Sequence, residues 1–213
     1  SDLGHESPIE HISFTFGIEG VSRSLLAQIT RHRIASFSVQ SQRYVKKDNF
    51  IYITPPAISE NREINNIYEK SILDSFEQYN KIADMLSEKY YNEFINSGVS
   101  EKQARSKAEK KAIEDARFVL PNACETKMVV TMNARSLLNF FRLRCCNRAQ
   151  WEIRAVAIEM LKLCYKTAPS IFSAAGPACC NGSCSEGKMS CGKMSEVKKT
   201  FSKIKESLKD EEK

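Results

Sequence analysis

The sequence lacks any long apolar run and any internal repeat. No stretch approaches the roughly 20 apolar residues that a membrane-spanning helix needs, and no signal-peptide pattern opens the chain. A serine–histidine–acid arrangement and a zinc-binding histidine motif are absent as well. The sequence therefore gives no sign of a membrane span, of secretion, or of the hydrolase chemistry that such motifs serve.

Length and charge set broad limits on the protein. A chain of 213 residues and 24.2 kDa forms one domain, or one domain with a tail, and is long enough for a genuine hydrophobic core. The net charge of +6 fits an anionic small molecule as well as a nucleic acid and does not choose between them. The chain begins at Ser1 without an initiator methionine, so we expect an N-terminal element to be missing.

The eight cysteines fall into two groups. Four lie within apolar or helical patterns: Cys124, Cys145, Cys146 and Cys164. Because no signal peptide is present, this placement predicts reduced thiols in a cytoplasmic protein.

The other four cysteines lie in a C-terminal segment rich in Gly, Ser and Lys: Cys179, Cys180, Cys184 and Cys191. Four neighbouring thiols could hold zinc or an iron–sulfur cluster. Their spacing is not the usual pair of CxxC hooks. We therefore favour no metal, and a flexible tail with reduced thiols or a local disulfide.

The spacing of apolar residues predicts both strands and long helices. Strict alternation predicts a strand over residues 12–18, and a second strand is predicted over 127–133. Residues 61–96 are apolar at helical spacing throughout. Further predicted elements are a helix at 22–33, a short strand at 51–56, a helix from a Ser100–Gln103 capping box to Pro121, a helix from about Asn133 and a helix from about Arg148 to Lys166.

The segment RHRIASFSVQSQRY, residues 31–44, carries a dense group of basic and polar residues. On a helix, Gln28, Arg31 and His32 would share one face. Such a face suits a phosphate, because a guanidinium matches an oxyanion bidentately. Cations that only offset the dipole at a helix C-terminus are the alternative, and both interpretations stay open.

Two further basic groups stand out. Arg117 lies between Ala116 and an apolar stretch, where it either extends to solvent or reaches into a site. In the segment 133–144, Asn133 is a natural helix N-cap, and Arg135 and Asn139 fall on one helical face. Two arginines end this predicted helix: Arg142 and Arg144.

These motifs resemble those of the flavin-dependent (alternative) thymidylate synthases. RHRIASFSVQS matches that family's signature of RHR, seven residues and Ser. The other segments that match in order and spacing are GHESPIEHISFTF, SQRY, ARFVLP, NARSLLNFFRLR and AQWEIR. The resemblance covers roughly residues 3–170. It implies a catalytic domain over residues 1–170, followed by a Gly/Cys/Lys-rich tail over 171–213.

The resemblance also implies a fold and a set of site residues. The expected fold is α+β, a single domain with a central, largely antiparallel sheet flanked by long helices, assembling as a homotetramer with its sites at subunit interfaces. The implied dUMP-binding residues are Gln28, Arg31, Ser41, Gln42, Arg43, Arg117 and Arg144. The implied FAD-binding residues are Ser7, Arg31, His32, Arg33, Asn133, Arg135 and Asn139. Val39 departs from the family, where many relatives carry Glu, so that only a backbone contact is expected there.

The implied reaction is the FAD-dependent reductive methylation of dUMP to dTMP, with methylenetetrahydrofolate as carbon donor and NADPH as reductant. The resemblance gives the catalytic role to Arg144, whose guanidinium would stabilise the anion that forms on the uracil. The expected partners are these small molecules and further copies of the chain, with no nucleic acid and no membrane. Two alternatives remain: an inactive or truncated relative that still binds FAD or nucleotide, and a basic nucleic-acid-binding module.

Overall fold

The computed structural model describes residues 6–42 and 51–210 and has an α+β fold. Its small sheet is antiparallel and contains three strands in the order β1-β3-β2. The strands are β1 (Ser13–Ser22), β2 (Ser36–Val39) and β3 (Glu125–Asn133). The sheet confirms the predicted strands at 12–18 and 127–133, because their apolar alternation matches the period of a strand with one buried face.

Helices make up most of the rest of the described chain. They are α1 (Arg23–Ile29), α2 (Pro56–Ser59), α3 (Arg62–Asn96), α4 (Glu101–Ala116), α5 (Ala134–Arg144), α6 (Trp151–Thr167), α7 (Pro169–Phe172) and α8 (Met194–Asp210). Short 3-10 turns occupy Ser7–His11, Arg117–Val119, Ala178–Cys180 and Gly187–Met189. No helix within these described residues is long and apolar enough to cross a membrane.

The described residues form two compact units. The first comprises residues 6–18, 25–38 and 128–210, and the second comprises 19–24, 39–42 and 51–127. Each unit has buried apolar residues of its own.

Aromatic rings dominate the core of the first unit. Phe140 and Phe141 on α5 are fully buried, and Phe141 meets Phe172 of α7 edge to face at 6.0 Å between ring centroids. Phe14 of β1 contacts the same Phe172 ring at 5.4 Å. This packing links α5 to β1 through the ring of Phe172, because edge-to-face aromatic pairs hold a preferred geometry.

Residues after 170 belong to this packed unit. Phe172, Ala175, Val197 and Phe201 are buried, and so is Leu208 near the end of α8. On α8, the buried residues Val197, Phe201 and Leu208 are at helical spacing, as expected for a helix with one buried face. The boundary at residue 170 between a catalytic domain and a tail stays a prediction.

A helical hairpin of α3 and α4 forms most of the second unit. Alanines recur every four residues on α4 and let the two helices approach closely: Ala104, Ala108, Ala112 and Ala116. Tyr90 packs on this alanine face, and its hydroxyl donates to Asp115 Oδ2 at 2.5 Å. Gly98, at φ +84°, makes the left-handed turn that ends α3. The helix predicted over 61–96 is thereby confirmed.

Several predicted element ends were wrong for local reasons. α1 ends at Ile29, because the backbone N–H groups of Arg31 and His32 bond back to the carbonyls of Gln28 and Ile29 in a tight turn. The predicted strand at 51–56 is reduced to one antiparallel bridge between Tyr52 and Cys124, and α2 starts at Pro56.

Two helix ends also differ from the prediction. Ser100 precedes α4 but makes no side-chain cap, so the expected capping box with Gln103 is wrong. α6 begins at Trp151 rather than near Arg148, because the side chain of Gln150 accepts hydrogen bonds from two backbone N–H groups of its first turn.

Candidate functional site

An open cleft of about 1130 Å³ lies in the first unit. It is somewhat larger than the roughly 300–1,000 Å³ typical of small-molecule sites. Five guanidinium groups line it: Arg31, Arg33, Arg135, Arg142 and Arg144. Its two lining carboxylates are Glu6 and Glu10. The charge balance therefore suits an anionic ligand.

A smaller groove of about 480 Å³ runs between α3 and α4 in the second unit. Its lining includes Asp84, Glu88 and Glu109 beside a single arginine, Arg105. Because carboxylates outnumber cations there, this groove does not suit an anion.

Four chain segments build the cleft of the first unit. The turn after α1 supplies residues 31–34, and α5 with its cap supplies residues within 133–144. The 3-10 turn Ser7–His11 and the residue before it supply Glu10 and Glu6, and the segment 174–181 supplies small residues. Asn133 caps α5 by accepting a hydrogen bond from the Ser136 backbone N–H at 2.8 Å. The cap places Asn133 itself at the edge of the cleft.

His32 and Arg144 form the central polar pair of the cleft. Arg144 Nε donates to His32 Nε2 at 3.0 Å. Burial lowers the pKa of His32, and the positive charge of Arg144 lowers it further. A nitrogen that accepts from a guanidinium carries no proton, so the imidazole is neutral with its proton on Nδ1. The ring is held edge to face against Phe140, with centroids 4.9 Å apart.

Arg144 is also close to a second cation. Burial lowers its pKa, and the charge of Arg31 adds to the effect. Two neighbouring guanidiniums, one of them partly desolvated, repel each other until an anion lies between them. The arrangement therefore favours an anionic group next to Arg31 and Arg144.

Arg135 is engaged by carboxylates at the rim of the cleft. Its Nε donates to Glu6 at 3.0 Å, and its Nη1 donates to Glu10. The hydrogen bond to Glu10 is the main reason that the pKa of Arg135 is raised. Two turns further along α5, Arg142 donates to the Asn139 side-chain oxygen at 3.0 Å.

A second basic group lies in the second unit. Arg23 Nη2 donates to the Gln40 carbonyl at 2.9 Å, while its Nε is buried and has no hydrogen-bond partner among the described residues. Burial lowers the pKa of Arg23, and the nearby charge of Arg117 contributes. Gln42 Nε2 is likewise buried without a partner in the described chain. Such groups are suited to a polar ligand, because burying them unpaired is costly.

The structure gathers seven of the residues proposed from the sequence around the cleft: Arg31, His32, Arg33, Asn133, Arg135, Asn139 and Arg144. Ser7 is exposed on the 3-10 turn between Glu6 and Glu10 and does not line it. Gln28 lies within α1, also outside the lining, and the helical face proposed for Gln28, Arg31 and His32 does not form because α1 ends at Ile29.

The remaining nucleotide-binding candidates belong to the second unit or lie outside the description. Ser41, Gln42 and Arg117 are in the second unit, and Arg117 Nε donates to the Glu114 carbonyl at 3.1 Å. Arg43 lies outside the described residues. Val39 is the half-buried last residue of β2.

Sequence reasoning gave no site role to several residues of these groups: Glu6, Glu10, Arg142, Arg23 and the small residues of 174–181. Arg142 had a signal, since it follows Asn139 by three positions on a helix. The other residues had no comparable signal of a site role, because the sequence around them does not show which distant residues they contact.

The cysteines show no metal centre in the part of the chain that is described. No group of three or more His, Cys, Asp or Glu side chains there is placed to hold a metal ion, and so Cys179, Cys180, Cys184 and Cys191 are not gathered into a site. All eight cysteines are free thiols. Burial raises the pKa of the Cys145 thiol to about 12, which keeps it protonated near neutral pH.

Comparison with known proteins assigns most of the chain. The sequence model described as thymidylate synthase complementing protein matches residues 1–170. The chain is 58% identical over 198 residues to a flavin-dependent thymidylate synthase of Clostridium tetani (strain Massachusetts / E88), covering 93% of this chain and 76% of that protein. It is 48% identical over 201 residues to the Geobacter sulfurreducens protein of that name, again with 93% and 76% covered. The one from Nitratidesulfovibrio vulgaris is 50% identical over 188 residues, with 88% and 70% covered.

Proposed function

The chain is an enzyme that belongs to the flavin-dependent thymidylate synthase family, and from that premise we propose that it converts dUMP to dTMP by reductive methylation. FAD is the bound cofactor, methylenetetrahydrofolate gives the carbon, and NADPH is the reductant. The observation that carries this proposal is the convergence of Arg31, His32 and Arg144 in one cationic cleft.

The residues of the cleft fit FAD. Its two phosphates need cations, and Arg31, Arg33 and Arg135 line the cleft from two different segments. Its flat ring systems need apolar surface, which Ile34 and Leu143 offer together with the alanines of 174–181. The resemblance adds Ser7, His32, Asn133 and Asn139 to this set. When bound, the flavin supplies the hydride chemistry, and the protein supplies orientation and electrostatics.

Arg144 is the proposed catalytic residue. Its bond to His32 uses the Nε–H group, which fixes the plane of the guanidinium before any ligand arrives. A preorganised, partly desolvated cation next to the uracil would stabilise the negative charge that develops as C5 becomes nucleophilic. Neutral His32 acts here as the acceptor that positions this group.

We propose that the second basic group, considered within the second unit alone, binds a nucleotide phosphate. The resemblance places Ser41, Gln42, Arg43 and Arg117 among the residues that bind dUMP. Arg23 joins them, because its buried Nε has no partner among the described residues and its charge lies near Arg117. A dianionic phosphate would relieve both the repulsion and the unmet hydrogen-bonding need.

The proposed assembly is a homotetramer acting in the cytoplasm. Large apolar side chains are exposed on the single chain, among them Phe118 at 82% and Met85 at 73%. Apolar surface of this kind is buried when identical chains associate. The free thiols agree with a reducing compartment.

The test is a flavin and turnover assay on the purified protein. We expect a yellow protein with about one FAD per chain, whose absorption bleaches anaerobically with NADPH, and which forms dTMP from dUMP and methylenetetrahydrofolate. Arg33→Met should weaken FAD retention, whereas Arg105→Met, outside the cleft, should not. A colourless protein that takes up no added FAD and forms no dTMP would overturn the proposal.

A further inference from the structure

Part of the cleft is lined by a segment that the family's sequence model does not include, although the alignments with individual relatives extend past it. The match ends at residue 170. Beyond it, Ala174, Ala175, Gly176, Ala178 and Asn181 line the cleft, and we call these five residues the small-residue wall. The proposed function gives none of these five residues an electrostatic or catalytic role.

Helix α8 holds the small-residue wall in place. Lys205 Nζ donates to the Ser173 carbonyl at 2.7 Å, next to the first wall residue. Phe201 is 2% exposed, and its ring would lie 3.3 Å from a Cβ added at Gly176. Gly176 also has φ +141°, which side chains rarely tolerate. The backbone of the wall is therefore packed directly on α8.

Contacts within the segment add to this support. The Asn181 side chain donates to the Ala174 carbonyl, and the Ala175 N–H donates to the Phe172 carbonyl at 2.9 Å. Ala175 and Gly176 are buried, while Ala174 is exposed at the cleft. The wall thus presents methyl groups, backbone and the short amide of Asn181, with no long side chain, to the space in which a ligand would lie.

We infer that the small-residue wall, backed by α8, sets the width of the cleft and thereby determines how tightly FAD binds. This inference rests on the proposed function for the identity of the ligand. Small residues are needed because each added methylene would take space from a flat ring system that fits between the wall and the α5 side of the cleft. The segment after residue 170 is then part of the binding site, with α8 as its positioning element.

A matched pair of substitutions tests the wall. Ala174→Leu adds bulk at the cleft, and Ser183→Leu adds the same side chain to an exposed residue of the same segment that does not line the cleft. Binding of FAD to the apoprotein is measured by quenching of flavin fluorescence, and thermal unfolding of the apoprotein is the stability control. Ala174→Leu should raise the FAD dissociation constant about tenfold or more, and Ser183→Leu should not.

The backing by α8 is tested by hydrogen exchange of the apoprotein and by FAD binding. Lys205→Met removes the bond to Ser173, and Lys209→Met removes an exposed lysine from the same helix. Hydrogen exchange of the peptide covering 174–181 should be faster in Lys205→Met only, with FAD binding weaker by about threefold or more, since bonds from charged donors contribute most.

The outcomes separate this inference from the proposed function. If the wild-type apoprotein binds no FAD, the proposed flavin cofactor is wrong, and FAD is then also not the ligand of the small-residue wall. If the wild type binds FAD while Ala174→Leu and Lys205→Met bind it equally well, the small-residue wall alone is overturned.

Discussion

Among single residues, the proposed chemistry depends on Arg144 and on the side chains around it. Its guanidinium is partly buried, bonded to His32 and close to Arg31. The neighbouring Cys145 is the residue most easily mistaken for a nucleophile of the kind that cysteine-dependent thymidylate synthases use. It is fully buried and its pKa is raised to about 12, so that no thiolate is available at neutral pH.

Arg144→Ala should therefore lose activity while the cysteine variants keep it. We expect a loss of about a hundredfold or more in dUMP-dependent oxidation of reduced flavin, the scale of removing one preorganised electrostatic stabiliser. FAD should stay bound, because the proposed partner of Arg144 is the nucleotide. Cys145→Ala and Cys146→Ala should retain most of the activity in the same single-turnover assay. A dead cysteine variant beside a normal Arg144→Ala would reverse these roles.

Glu10 should compete with the ligand for Arg135. The two side chains are exposed and ion-paired at the rim of the cleft. Glu10→Gln removes the competing charge, so FAD affinity should rise by up to about fivefold, the limit set by the small energies of exposed pairs. Glu101→Gln, which breaks the exposed pair with Arg105 on α4, is the control and should have no effect. Equal or weaker FAD binding by Glu10→Gln would show that the carboxylate supports the site instead.

The neutral state of His32 should appear in the pH dependence of stability. Its pKa in the folded protein lies below the ordinary 6.5. The unfolded chain therefore takes up the proton first as the pH falls below about 6.5, so stability is lost as the pH falls from there through the folded pKa. His32→Gln keeps an acceptor for Arg144 and does not titrate. Between pH 7 and pH 5, the melting temperature of the apoprotein should fall more in the wild type than in His32→Gln, and equal slopes would contradict this.

At the scale of elements, α5 joins the core to the cleft. Its buried face carries Phe140 and Phe141, and its other face carries Asn139 and Arg142. Asn133 starts the helix and also lines the cleft. One residue therefore serves two functions that substitution can separate.

Asn133→Ala and Asn133→Asp should differ in a diagnostic way. Loss of the cap in Asn133→Ala should lower the free energy of unfolding by about 1 kcal/mol. Asp caps as well as Asn does, so Asn133→Asp should keep its stability. The added negative charge in an anion-binding cleft should nevertheless weaken FAD binding. Urea unfolding and flavin titration measure the two effects, and a destabilised Asn133→Asp would refute the cap as the source of stability.

At the scale of the whole molecule, the exposed apolar residues predict assembly. Phe118 is the most exposed large apolar side chain in the described part of the chain. Such a ring in water costs free energy that burial between subunits recovers. The proposed homotetramer explains why the single chain leaves it uncovered.

Sedimentation should give the mass of four 24.2 kDa chains. Phe118→Ser should raise the concentration at which the assembly dissociates by about tenfold or more, because buried aromatic side chains contribute most at interfaces. Lys110→Ser, on the polar face of α4, should leave it unchanged. A wild-type protein that sediments as a single chain would exclude the tetramer.

Residues close to one another in the sequence were enough to predict the family, the α+β class and the main elements. Strand and helix periods and capping bonds are local, because they involve residues only a few positions apart. Local patterns were therefore sufficient to predict the strand at 12–18, the helix at 61–96 and the Asn133 cap. A short motif such as RHR, seven residues and Ser can likewise be read without knowing where its side chains point.

The contacts that these side chains make could be known only from the folded chain. His32 and Arg144 are 112 positions apart. Arg135 donates hydrogen bonds to Glu6 and Glu10, which lie more than 120 positions earlier in the sequence. The turn that ends α1 at Ile29 and the packing of α8 behind the small-residue wall depend equally on their surroundings. Periodicity shows which face of an element is buried, but the partner of that face is set by how the whole chain packs, because burial and pKa shifts arise from neighbours that are distant in sequence.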